Sequence, residues 1–157
     1  MHEIFVRYLD SPIGIIEIVG NAKAITELNF VDEKRKEALP SNAVLEAGAK
    51  QLKEYLNRIR KEFTVPLDLE GTEFQKKVWQ ALQTVGYGKM VSYKTIAEAV
   101  GNPKAVRAVG AANGKNPIAI IVPCHRIIGS DGSLTGYGSG IWRKEWLLHH
   151  EGCRVYR

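Results

Sequence analysis

Three adjacent residues, Cys124, His125 and Arg126, stand between two apolar runs in Ile118-Ala119-Ile120-Ile121-Val122-Pro123-Cys124-His125-Arg126-Ile127-Ile128-Gly129. A thiol reacts as its thiolate, and imidazole or cationic neighbours favour that form, so this stretch could set an activated nucleophile in an apolar pocket. Buried cysteines are usually inert packing residues, and on this stretch alone that is the commoner reading. Adjacent residues on an extended segment face opposite ways, so closeness in sequence does not establish contact between Cys124 and either neighbour. The other cysteine is Cys153, and two cysteines without Cys-x-x-Cys spacing imply neither a disulfide framework nor a zinc site.

Stepping outward, 157 residues with 45% hydrophobic content suffice for a proper core. No apolar segment approaches the roughly 18 residues needed to span a bilayer. The opening Met1-His2-Glu3-Ile4 is not a basic leader, so a soluble, intracellular protein is expected. The net charge of +5 divides unevenly. Residues 1–70 carry 10 Lys/Arg against 12 Asp/Glu, whereas residues 71–157 carry 12 against 5, a balance of +7. A basic half is the footprint of a polyanion partner, because Lys and Arg that neutralise phosphates release condensed counterions. A merely solubilising charge is the alternative.

The elements that must position the cysteine begin with a scaffold. Runs at 3–9, 13–19 and 24–30 are short, β-branched and aromatic, and are separated by Asp10-Ser11-Pro12 and Gly20-Asn21-Ala22-Lys23, which predicts three antiparallel strands. Leu45, Gly48, Leu52, Tyr55, Leu56 and Ile59 recur at three and four, the stripe of an amphipathic helix over about residues 42–60. Nothing in this half looks chemical: its one histidine is His2, and Lys34-Arg35-Lys36 reads as a solvated turn. Phe63-Thr64-Val65-Pro66-Leu67 is an extended connector, and the charge balance changes after it, placing a domain boundary near residue 70.

Thr72-Glu73-Phe74-Gln75 has the form of a capping box, opening a helix with Phe74, Val78, Ala81, Leu82 and Val85 inward and closed by Gly86-Tyr87-Gly88. Ser92 caps a second helix over 93–100 that stops at Gly101. Asn102 caps a third over 103–113 with Pro103 at its first position, completing a helix-turn-helix pattern. A major-groove reading helix presents several long polar side chains, and this one offers chiefly Lys104, Arg107 and Asn113 among Ala105, Ala108, Gly110 and Ala111. A helix is about 10–12 Å across and the minor groove about 6 Å wide, so small residues would let the backbone press against a widened minor groove. A packed helix with a solvated arginine is the competing reading. Asn113-Gly114-Lys115-Asn116-Pro117 couples this helix to the run before Cys124. Residues 130–140 form a glycine-rich loop with Tyr137 as its one large side chain, and a last helix over 141–151 ends at Gly152. His149 and His150 suit the negative end of that helix, and neither they nor Cys153 is assigned a function.

Val122-Pro123-Cys124-His125-Arg126, Val91-Ser92-Tyr93, Gly101-Asn102-Pro103-Lys104-Ala105-Val106-Arg107-Ala108-Val109-Gly110, Asn116-Pro117 and Lys144-Glu145-Trp146-Leu147-Leu148-His149-His150-Glu151-Gly152 occur in the order seen in the O6-alkylguanine-DNA alkyltransferases, which the chain resembles over about residues 72–152. The resemblance implies an α+β protein. Residues 1–70 would form a ribonuclease-H-like three-stranded antiparallel sheet with a helix, and residues 71–157 a mostly helical, winged-helix-like domain with a helix-turn-helix. It implies direct-reversal DNA repair, in which an alkyl group passes irreversibly from O6-alkylguanine to Cys124 after the base is flipped into a pocket.

By matching position, His125 would take the thiol proton through a water, Glu151 would orient the imidazole, and Asn116 would tie the DNA-binding helices to the active-site loop. Tyr93 would help rotate the nucleotide and donate to the base N3. Val122, Pro123, Tyr137, Gly138 and Ser139 would line the pocket. Gly138 stands where many members carry serine, which leaves a backbone donor near Gly138 or Ser139 for the guanine O6. Arg107 would enter the duplex and fill the gap, with Ser92, Thr95, Asn102, Lys104, Ala105, Ala108 and Gly110 beside it on DNA. The partner would be double-stranded DNA, bound by a monomer in the cytoplasm, at the nucleoid, or in the nucleus of a eukaryote. The one-turnover chemistry implies no cofactor, and no metal is expected, since the zinc that some members hold in the N-terminal half needs a cysteine and none precedes Cys124. Two other classes remain: a sensor that binds alkylated DNA without reacting, although in such relatives the acceptor cysteine is replaced, and a thiol hydrolase using Cys124 and His125, which leaves Arg107 and the basic half unexplained.

Overall fold

A computed structural model describes residues 3–155; His2 lies outside them. The chain divides into two compact units, Met1–Glu70 and Gly71–Arg157. The first is built on an antiparallel sheet of β1 (Phe5–Ser11), β2 (Gly14–Gly20) and β3 (Ile25–Val31) in that order. Pro12-Ile13 forms the loop of the first hairpin, with Ser11 paired to Gly14, so Asp10 and Ser11 belong to β1 rather than to the turn, and each strand begins one or two residues later than the pattern predicts. At the second turn, the Asn21 side chain accepts from the N–H groups of Lys23 and Ala24, a local bond that fixes the reversal.

Helix α1 (Ala43–Leu56) is capped by Asn42, whose side chain accepts from Leu45 N. It lays Leu45, Ala49, Leu52 and Tyr55 among Ile16, Ile18, Ile25 and Leu28 in the core. Gly48 permits the close approach, because a Cβ there would stand 2.6 Å from Ile25 Cδ1. The predicted stripe ran one turn too far. Arg58 turns left-handed at φ 61° just past the helix, and Ile59 is 74% exposed. Arg35 is also more than a solvated charge: its Nε donates to the buried Glu17 carboxylate at 3.1 Å.

In the second unit, the capping box forms as expected before α2 (Glu73–Leu82): Gln75 N donates to Thr72 Oγ1 and Thr72 N to Gln75 Oε1. The inward face of α2 includes Trp79, which the predicted stripe omitted. Its buried Nε1 donates to Ala112 O at 2.9 Å and locks α2 to the fourth helix. Strand β4 (Val91–Ser92) runs into α3 (Tyr93–Ala99), capped by Ser92, and α4 follows at Val106–Gly114. Asn102 does not cap α4. Ala105 N donates to Asn102 O, closing a separate turn over Pro103 and Lys104, and the first helical bond runs from Val109 N to Ala105 O. The proline therefore sits inside a turn, where its fixed φ is equally suitable. Strand β5 (Ile127–Ile128) pairs in parallel with β4, and α5 (Ile141–His150) closes the unit. No helix among the described residues is long and apolar enough to cross a membrane. Replacing Thr72 by Ala removes one half of the capping box, and urea denaturation is expected to show a loss of about 1 kcal/mol.

Candidate active site

The run before Cys124 is a compact coil. Asn116 braces it from inside: its Oδ1 accepts from Ile118 N at 3.0 Å and its Nδ2 donates to Val122 O at 2.8 Å. Within the brace, Ile120 adopts φ 70°, a left-handed conformation that a β-branched residue enters only when its surroundings impose it. Asn113, at the end of α4, adds a bond of 3.4 Å from its Nδ2 to the Cys124 carbonyl. Pro123 then leads into one 3-10 turn, Cys124–Arg126. With three residues per turn, successive side chains fan out by about 120°. Cys124, His125 and Arg126 thus meet three different surroundings, although all three are buried.

His125 is fully buried, and its Nε2 lies 2.7 Å from Glu151 Oε2, at the end of α5. Glu151 also accepts from Arg126 Nε at 2.8 Å, Arg126 Nη2 at 3.0 Å and Gly88 N at 3.3 Å. Arg126 Nη1 donates to Val85 O at 2.6 Å. Burial alone would raise the Glu151 carboxyl, but its contacts with His125 and Arg126 hold it well below the usual carboxylate range. Burial pushes His125 below the ordinary imidazole value, with Arg126 and Lys144 acting in the same direction and Glu151 opposing. The resting state is an ionised carboxylate beside a neutral imidazole. His125 Nδ1 has no hydrogen-bond partner among the described residues.

Cys124 is 5% exposed. Burial pushes its thiol up, while the Asn116 side chain and the Lys144 charge favour the thiolate. The neighbouring cation expected to act on the thiol was Arg126, but its guanidinium is turned to Glu151 and Val85, and Lys144 takes that place. Lys144 is fully buried, and desolvation brings its ammonium down to about 8. Its Nζ donates to Thr135 O at 2.9 Å, and the same carbonyl accepts from Tyr93 Oη at 3.1 Å. The hydroxyl expected to serve a base N3 is thus held on the glycine-rich loop in this state. Tyr137 lies with its buried hydroxyl beside the thiol, without a hydrogen bond of good geometry. Gly138 is exposed, and Ser139 is half-buried with its carbonyl accepting from Arg143 Nη1 at 2.6 Å. Val122 and Pro123 are buried immediately before the thiol.

The residues expected on DNA are spread over α3, the turn and α4. Thr95, Asn102, Lys104, Arg107 and Ala108 are exposed, and Arg107 makes no hydrogen bond or ion pair among the described residues. Ser92 is half-buried and spends its hydroxyl on Thr95 N. Lys104 and Ala105 belong to the turn and the helix cap rather than to the helix itself. Gly110 is half-buried against the Tyr93 ring, so it does not share the exposed face of Ala108 and Ala111. Among the described residues, no three His, Cys, Asp or Glu side chains converge as a metal site requires.

Lys144 and Arg126 are the two residues of this cluster that sequence reasoning did not assign. A signal for Lys144 exists: positions 144, 147, 148 and 151 follow one helical face, and a lysine on a face shared with two leucines and the acidic partner of His125 calls for a reason.

Comparison with known proteins identifies the family of both units. Residues 4–69 match the model of the 6-O-methylguanine DNA methyltransferase ribonuclease-like domain, and residues 73–153 that of the 6-O-methylguanine DNA methyltransferase DNA binding domain. A methylated-DNA–protein-cysteine methyltransferase of Mycobacterium leprae is 49% identical over 97% of this chain and 94% of its own. One from Methanosarcina barkeri is 47% identical over 91% and 94%. The crystal structure of Mycobacterium tuberculosis OGT in complex with DNA superposes with a TM-score of 0.86 at 47% identity, covering 94% of this chain and 92% of that one. With both units matched and a buried cysteine set among histidine, glutamate and lysine, the chain belongs to the 6-O-methylguanine DNA methyltransferase family.

Proposed function

We propose that this protein repairs DNA by direct reversal, moving the alkyl group of O6-alkylguanine in duplex DNA to Cys124. The observation that carries the reading is a desolvated thiol with a neutral histidine next in the chain, itself bonded to a carboxylate, and a buried ammonium acting on the sulfur. A stacked base cannot reach a buried thiol, so the nucleotide is extruded into the pocket at a cost of a few kcal/mol. Arg107, exposed on α4, fills the space it leaves, and the +7 second half supplies the phosphate-neutralising charge. Ser92, Thr95, Asn102, Lys104, Ala105 and Ala108 lie along the docking surface, and Gly110 stands behind it against the Tyr93 ring.

The chemistry follows from the site. His125 takes the thiol proton on Nδ1, through a water, and Glu151 steadies the imidazolium that forms. Lys144 and Asn116 stabilise the thiolate. Sulfur bonds to the alkyl carbon, the bond from that carbon to O6 breaks, and the electron pair passes to the guanine. Tyr93 leaves Thr135 and gives its proton to N3, while a backbone N–H near Gly138 or Ser139 meets O6. Such preorganised donors usually contribute the largest share of catalysis. The thioether product has no route back to the thiol, so each molecule acts once, in the compartment that holds the DNA and without a cofactor.

Incubation with duplex DNA carrying O6-methylguanine is expected to add one permanent methyl mass to the peptide containing Cys124, and none in Cys124→Ser. Binding without mass gain would favour the sensor, and absence of DNA affinity the hydrolase. The methyl group overpacks the pocket, so the alkylated protein is expected to melt lower, by about 1–3 kcal/mol of stability. Lys144 loses its proton at about 8, and its support of the thiolate is lost above that pH. The methyl-transfer rate should therefore turn down with a midpoint near this value. Lys144→Met is expected to abolish the downturn and to lower the rate at pH 7 by about tenfold, the equivalent of one pKa unit on the thiol.

A further inference from the structure

The acidic partner of His125 is shared. Among the hydrogen bonds that Glu151 accepts, one comes from the imidazole and two from the guanidinium of Arg126. The Glu151 side chain has no exposed surface, and an ionised carboxylate in such a place needs a cationic counter-charge. Arg126 and His125, both bonded to it, can each carry one. Arg126 is permanently charged, whereas His125 is charged only after it has taken a proton. Were His125 the sole counter-ion, the resting pair would be carboxylate and imidazolium. Both ring nitrogens would then carry protons, and neither could accept one from the thiol.

We propose that Arg126 is a positioning residue for alkyl transfer: by compensating the charge of Glu151, it lets His125 rest as the neutral tautomer that donates from Nε2 and keeps Nδ1 as the proton acceptor. This rests on the alkyl-transfer reading above. Arg126 is fixed for the task by Val85 O at 2.6 Å from its Nη1 and by the Tyr87 ring, whose centroid lies 5.9 Å from the guanidinium carbon. The charged groups acting on His125 are Glu151, which strengthens its hold on a proton, and Arg126 and Lys144, which weaken it. In the step itself, the S–H bond breaks and its proton goes to Nδ1. The S–C bond then forms as the C–O6 bond breaks, and the electron pair moves onto the guanine. Arg126 gains and loses nothing. Its effect is on which protonation state waits for the substrate.

The test is the titration of His125 by NMR with isotope-labelled histidine, alongside the pH profile of methyl uptake from O6-methylguanine duplex. In Arg126→Met, the His125 midpoint is expected to rise by about one pH unit or more, the rising limb of the rate to move up with it, and the rate at pH 7 to fall as the neutral fraction of His125 falls. Arg126→Lys keeps the charge without the paired geometry and should retain the low midpoint. The double variant Arg126→Met/Glu151→Gln removes both charges, a change that buried pairs often tolerate, and should bring the midpoint back down. An unmoved midpoint in Arg126→Met, or one that stays high in the double variant, overturns the proposal.

If Arg126→Met does not fold, Glu151→Gln is compared with the double variant. Arg126 alone should depress the midpoint further, and equal midpoints in the two proteins also overturn the proposal. An unmethylated Cys124 in the wild type would overturn the alkyl-transfer reading and this role with it. A methylated wild type with an unmoved histidine titration would overturn the role of Arg126 alone.

Discussion

Burial sets two demands on Cys124 that oppose each other. A sulfur that is to meet an alkyl carbon must be shielded from water, and desolvation makes the same sulfur hold its proton more tightly. The pocket answers with groups that have lost water too. Lys144 is desolvated until its ammonium is nearly ready to give up its charge, and Asn116 offers an amide whose other atoms are already committed to the main chain. Behind them, the charge of Glu151 is shared between a permanent cation and an imidazole. Each group is costly to bury alone and tolerable in company.

The surrounding elements make that company possible. Helix α5 delivers Lys144, Leu147, Leu148 and Glu151 from one face, so one helix supplies a wall of the core and two charged members of the site. The 3-10 turn supplies the complementary geometry by directing three consecutive side chains to three places. Trp79 ties α2 to the last turn of α4, and Asn113 continues the connection to the carbonyl of Cys124. The helix that carries Arg107 is therefore joined to the nucleophile through side-chain bonds as well as through the intervening chain.

Much of this is legible in the sequence because it is local. The strand runs and the Asn21 turn are short-range features, and the Thr72–Gln75 box and the Ser92 cap are made by residues three apart. Sequence fails where a distant partner decides. Ile59 fits the helical period, but the chain turns left-handed at Arg58 before reaching it. Asn102-Pro103 is a good helix start by type, and the chain uses it for a turn instead. At the site, Cys124, His125 and Glu151 stand out by type, while Arg126 turns away from the sulfur and Lys144, which had no expected role, acts on it instead. Which cation faces the sulfur depends on contacts from Val85, Thr135 and Glu151, all far away in the chain.

Tyr93 and Lys144 both grip the glycine-rich loop by the carbonyl of Thr135, whose side chain is exposed. A main-chain oxygen is present whatever amino acid occupies the position. Substitution at residue 135 can accordingly change the exposed surface of the loop without unfastening the clasp, leaving surface chemistry and loop anchorage free to evolve separately.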